Sequence, residues 1–181
     1  WTGAHTANLW TGANFGSALG GAQVNDEAWI GELWLATTMG KTTVKIGRME
    51  LDTPLAFSEK WNIVPNTFEA AVVINQDIPD TTLVGAWVGK GNGYGAGTYV
   101  VNGAAKFDTF VTDGAYAAGI VNNSFKPLTA QAWYYNVVNV ADAFWLQADI
   151  NCQLVPGVKI GGQLAQMSPT AGGDDTEAYA V

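Results

Sequence analysis

Lys45, Arg48, Glu50 and Asp52 fall close together in the chain, and two further carboxylates follow at Glu59 and Glu69. Opposite charges at this spacing can do three things. They can pair and tether a loop. Brought to a narrow aqueous passage, they orient polar solutes and set an ion preference. A hard divalent cation such as Ca²⁺ could also sit among Asp52, Glu59 and neighbouring carboxylates, although no EF-hand spacing supports it.

Reaction chemistry finds little footing. His5 is the only histidine, so neither a histidine-based triad nor a multi-histidine metal centre can form from this chain. Paired carboxylates can serve a glycosidase, but nothing in the pattern places such a pair in the cleft of a soluble fold. The glycine-rich stretch 89–95 opens no helix and lacks the Lys-Ser/Thr ending of a phosphate loop, so it is expected to be a flexible outer loop. Asp174, Asp175 and Glu177 follow Gly172 and Gly173 and read as a solvated outer loop. No enzymatic activity, cofactor or metal is expected beyond the divalent ion already named.

The elements that must position these residues are strands. From Phe144 to Leu154 apolar and polar residues alternate strictly: Phe144, Leu146, Ala148, Ile150, Cys152 and Leu154 against Gln147, Asp149, Asn151 and Gln153. Successive side chains of a strand point to opposite faces, so a period of two marks a strand with one apolar and one polar side. After the Val155-Pro156-Gly157 turn the alternation resumes, with Val158, Ile160 and Leu164 against Lys159, Gly161 and Gln163. About ten alternating residues per strand joined by a tight turn is the pattern of a transmembrane β-barrel, apolar towards lipid and wet inside. Gln147, Asp149, Asn151, Lys159 and Gln163 are then expected to line a lumen, and Cys152 to face lipid.

Further strands are expected near 4–12, 27–38, 42–51, 69–77, 82–90, 113–122, 128–138, 143–154 and 157–167, with a last one beginning near 177. No crossover helices separate them, so the sheet should be antiparallel. The connections run long, short, long, short: 13–26, Gly40-Lys41, 52–68, 78–81, 91–112, 123–127, 139–142, the Pro-Gly turn, and 168–176. Outer-membrane barrels place short turns on the periplasmic side and longer loops outside, and only 139–142 breaks that sorting. In the strand from Val44 to Leu51 the apolar parity switches, and a bulge near Gly47 would leave Lys45, Arg48 and Glu50 all inside.

Composition agrees. Hydrophobic residues make up 48% of the 181 residues and charged residues 13%, about half the usual quarter for soluble domains. No apolar run reaches the roughly 18 residues of a membrane-crossing helix. The net charge of −8 disfavours nucleic acid, whose binding relies on Lys and Arg, and favours cations near or inside a pore. Eight Trp and six Tyr fit aromatic girdles at two membrane interfaces. Neither end of the chain reads as a natural terminus, so the expectation is an interior piece of a longer barrel.

Three phrases carry a family resemblance: GR-x-E-L-D-T-P in residues 47–54, P-N-T-F-E at 65–69 and I-P-D-T-T-L at 78–83, with similar phrasing in 132–149. Together they resemble the Campylobacter-type major outer-membrane porins and, more remotely, the OprD-type porins. The resemblance implies a bacterial outer-membrane barrel of about 18 strands, often trimeric, through which small hydrophilic solutes diffuse. It implies one barrel domain over 1–181, of which this chain holds about half, with 52–68 folded inward to narrow the pore. It also implies basic side chains on the wall, matched by Lys45 and Arg48, facing acidic groups on the loop, matched by Asp52 and Glu59.

Two other readings remain open at this point. A secreted β-sandwich binding glycans through exposed Trp and acidic residues would be soluble without detergent. A barrel with an adhesive or structural role would need the same wall as a porin.

Overall fold

A computed structural model describes residues 30–58, 60, 65–91, 108–109, 113–152, 155 and 157–181. Among them the chain is all β. Ten strands form one sheet: β1 (Leu33–Met39), β2 (Thr42–Met49), β3 (Phe68–Asn75), β4 (Thr81–Gly91), β5 (Asp108–Thr109), β6 (Ala115–Asn122), β7 (Leu128–Val137), β8 (Ala141–Asn151), β9 (Lys159–Pro169) and β10 (Thr176–Ala180). Nine follow chain order across the sheet, and the two-residue β5 pairs antiparallel with β4. Such a meander is what consecutive amphipathic strands without crossover helices must form. A sandwich would need a second sheet, and these strands make one.

The expected strands from 42 onward all form, with ends shifted by at most three residues. Three details differ. β8 starts at Ala141, because Val140 N–H donates to Val137 O (2.9 Å) and closes a tight turn. Gly89 to Gly91 continue β4 instead of opening a loop, and β5 sits inside the connection 91–112. The strand expected at 4–12 and the loop 13–26 lie outside the described residues, as do residues 27–29.

Packing divides the chain into two compact units. The first takes the described residues of Trp1–Leu35, Ile46–Ala70 and Val88–Gly114, and the second Ala36–Lys45, Ala71–Trp87 and Ala115–Val181. In the first, Met49, Leu51, Phe68, Ala70 and Val88 are buried. Gly47 has a φ of 131°, where L side chains are strained, and a Cβ there would overlap the backbone of Leu33. Only glycine allows that conformation and approach together.

In the second unit the register is continuous. β6 pairs β7 with Gly119 opposite Trp133, β7 pairs β8 with Trp133 opposite Trp145, β8 pairs β9 with Gln147 opposite Gln163, and β9 pairs β10 with Leu164 opposite Tyr179. Successive short turns also bond to each other along one end of the strands. Gln76 N–H donates to Lys41 O (3.0 Å), Asn123 N–H to Asp80 O (2.8 Å) and Asn151 N–H to Pro127 O (3.2 Å). At the other end, Thr170 N–H donates to Val140 O (2.8 Å).

Facing positions share a side of the sheet, so the register also sorts the side chains. One side carries Ile120, Leu146, Ile150, Ile160 and Leu164, with Phe144 and Leu146 still 51% and 50% exposed. Each large apolar side chain left half bare forfeits about 1 kcal/mol relative to burial. Five of them approach the whole stability of a domain in water, whereas in lipid that cost vanishes. The aromatic residues split between the two sides. Tyr116, Tyr134 and Phe144 lie on the apolar side, the rings of Tyr134 and Phe144 with centroids 4.9 Å apart, as a girdle requires. Trp133, Tyr135 and Trp145 lie on the opposite side with Gln131 and Gln147, which corrects the membrane-interface expectation for these three residues.

Candidate functional site

In the first unit, β2, β3 and β4 each contribute a charge to one cluster. Arg48 Nη2 lies 2.6 Å from Glu69 Oε1, and Lys90 Nζ lies 3.6 Å from Glu69 Oε2. Arg48 Nη1 also donates to Ile30 O (2.8 Å), so the guanidinium is held from two sides. Arg48 and Glu69 are both largely covered, where a charge-assisted bond counts for more than on an open surface. The cluster as a whole carries one net positive charge.

Beyond β2 the chain folds on itself. Asp52 and Phe57 form an isolated antiparallel bridge. Thr53 N–H donates to Ala56 O (3.0 Å), Ser58 N–H to Leu51 O (2.8 Å), and Leu51 N–H to Ser58 Oγ (3.2 Å). Pro54 and Thr53 suit such a reversal, since proline presets φ and the threonine hydroxyl bonds the local backbone. Thr67 Oγ1 donates to Gly31 O (2.7 Å) where the connection returns to β3. Asp52 is exposed at the start of this turn. Glu50 meets Lys60, with Nζ 2.7 Å from Oε2. Lys60 is raised above the ordinary lysine value by its hydrogen bond to Glu50 and then by the charge of Glu50.

Of the residues expected from sequence, the structure brings together Arg48 and Glu69, and gives Glu50 a partner in Lys60. Lys45 is half-buried in β2 within the second unit, and Glu59 lies outside the described residues. Sequence reasoning missed Lys90 because the glycines around it read as a loop. The strand expected over 82–90 already reaches Lys90, and a strand carries that side chain out of the loop. Among the described residues no group of three or more His, Cys, Asp or Glu could hold a metal ion.

The second unit holds the polar residues of β7 to β9. Trp133 Nε1–H donates to Gln131 Oε1 (2.8 Å), Trp145 Nε1–H to Gln147 Oε1 (3.2 Å), and Gln147 Nε2–H to Asp149 Oδ2 (2.7 Å). Gln163 stands opposite Gln147, and Lys159 opposite Asn151. The polar parity expected for Gln147, Asp149, Asn151, Lys159 and Gln163 thus shares one side of β8 and β9. On the other side, Tyr134 OH and Asn136 Nδ2 both donate to Asp142 Oδ1, at 2.5 and 2.8 Å.

No protein-family model matches the chain, and no curated protein matches it significantly. Solved structures do. OccK8 (OprE) of Pseudomonas aeruginosa superposes with a TM-score of 0.64 at 22% identity, over 75% of this chain and 36% of that one. OccK3 (OpdO) of the same organism gives 0.64 at 15% identity, over 81% and 40%. Its outer membrane protein OpdK gives 0.66 at 16% identity, over 81% and 41%. The chain therefore has the fold of the OprD-type outer-membrane β-barrel porins and spans about two fifths of the length of those it matches.

Proposed function

We propose that this chain is part of the wall of a bacterial outer-membrane porin, a passive route for ions and small hydrophilic solutes with a preference for cations. The observation that carries the reading is the two-sided sheet of β6 to β10, with bare Phe144, Leu146, Ile150, Ile160 and Leu164 behind Gln147, Asp149 and Gln163. Such a wall suits lipid on one side and water on the other. Because the chain matches about two fifths of each related barrel, the full pore takes further strands, about 18 in all by the family resemblance. We assign it to the Campylobacter-type branch on the three phrases within 47–83, and a homotrimer follows from the same resemblance.

In this reading 52–68 folds inward as the constriction. Lys45 and Arg48 stand on the wall, with Glu50, Asp52, Glu59 and Glu69 facing or flanking them, while Gln147, Asp149, Asn151, Lys159 and Gln163 line the wider lumen. A porin needs no reaction chemistry. It needs fixed charges of both signs beside a water column, and the net charge of −8 supplies a cation bias.

The test is conductance of the native detergent-extracted protein in a planar bilayer under a KCl gradient. Stable ohmic steps with a reversal potential favouring K⁺ are expected. A protein that is soluble without detergent and gives no steps overturns the reading. Detergent dependence with no steps, together with binding to a partner through the long loops, would favour the adhesive barrel instead.

A further inference from the structure

Across β7, β8 and β9 the register builds a patch that the charge cluster does not use. Trp133 faces Trp145, Gln131 faces Gln147, and Gln147 faces Gln163 on its other side. Each tryptophan donates its indole N–H to the glutamine two residues along its own strand, and Gln147 passes its amide N–H to Asp149. These bonds fix the indoles and the central amide in place, which reduces what a ligand must order on binding. Trp133 is buried, its ring laid over Gly119 and stacked against Tyr135 with centroids 6.1 Å apart. Trp145 is half-buried, and its neighbour across β9 is only Ala165. One tryptophan thus supports the patch while the other keeps ring surface beside a small residue.

We propose that this patch is a binding site for neutral, ring-shaped polyhydroxylated solutes, the chemistry of a sugar. The inference rests on the porin reading, which puts water against this side of the sheet. A sugar ring has a face of polarised C–H groups that suits the electron-rich face of an indole. Its edge of hydroxyls needs both donors and acceptors, which Gln147 and Gln163 amides supply together and Asp149 supplies as acceptor. Among the described residues the one carboxylate of the patch is Asp149, which disfavours an anionic ligand and has no second carboxylate beside it to complete a cation site. The nearest register cation, Lys159, lies opposite Asn151, one same-side position beyond Asp149 towards the β8–β9 turn.

The test uses the full native protein in planar bilayers, with maltose as probe and mannitol, an open-chain polyol, as control. Maltose should reduce the ionic current saturably while mannitol does not. Trp145→Ala should weaken the maltose effect about fivefold or more, the loss expected for one ring contact, and Trp145→Phe should restore most of it. Gln163→Ala, at an exposed position, should weaken it even if Trp145→Ala fails to fold. Open channels that respond equally to maltose and mannitol, or equally in all variants, overturn the sugar site alone. Absence of any channel overturns the porin reading, and tryptophan fluorescence of the detergent-solubilised protein then decides the site. A saturable maltose-dependent change lost in Gln163→Ala supports it, and no change overturns it.

Discussion

Arg48 Nη2 and Glu69 Oε1 stand 2.6 Å apart, joining β2 to β3, and Lys90 reaches the other oxygen of the same carboxylate from β4. One glutamate thus balances cations from both neighbouring strands. Glu69→Gln keeps the shape and removes the negative charge that Arg48 and Lys90 share. The expected outcome is a reversal potential shifted towards anions, with a stability loss of about 1–2 kcal/mol for a partly covered charge-assisted pair. Selectivity under a KCl gradient and thermal unfolding of the detergent-solubilised protein measure the two effects separately. An unchanged reversal potential would remove this cluster from the ion path.

Ile150 and Asp149 are consecutive in β8 and belong to opposite sides of the sheet. A nitroxide at Ile150 should be reached by oxygen and shielded from a water-soluble paramagnet in reconstituted vesicles. One at Asp149 should show the reverse. Equal accessibility of both labels would deny the sheet a lipid-facing side.

Gly119 and Gly162 offer a contrast in packing. A methyl at Gly119 would overlap the indole of Trp133, whereas one at Gly162 meets nothing within 4 Å. Gly119→Ala should therefore destabilise by about 1–3 kcal/mol, the usual cost of overpacking. Gly162→Ala should stay within about 0.5 kcal/mol of the parent. Unfolding in denaturant compares the two directly.

Lys60 gains its proton affinity from Glu50. A group whose folded value is raised contributes fully below its unfolded value and loses that contribution as pH climbs through the folded one. The contribution of the Lys60 charge to its contact with Glu50 should therefore be complete below about 10.5, a lysine's usual value, and be lost only at still higher pH. The Lys60 side-chain signal in an isotope-labelled sample reports this, and Glu50→Gln should bring its midpoint down towards the usual value.

Much of this architecture was legible along the chain. β8 and β9 could be drawn from their alternation alone, because a strand with lipid or core on one side and water on the other must repeat every two residues. The turns announced themselves through Gly40-Lys41, Pro79-Asp80 and the proline and glycine around 155–157. The switch of parity in β2 marked Gly47 as unusual, but its close approach to Leu33 was not readable from the strand alone. The charged residues of the candidate site were visible as types and spacings, though their pairing was not.

What the sequence determined by itself is therefore what is local: strand positions, turn positions and the two sides of any strand with clean alternation. Tertiary structure alone decided which residues meet. β7 places Trp133, Tyr134 and Tyr135 in succession, so its own pattern cannot say which aromatic faces which way. Pairing with β8 settles it by setting Trp133 opposite Trp145 and Gln131 opposite Gln147. Likewise nothing local joins Lys90 to Glu69, which meet because β4 lies beside β3. Register is a property of two strands at once, and a shift of one residue would reverse every side chain of the partner. That is the physical reason a single strand's pattern fixes its own two sides but not its company.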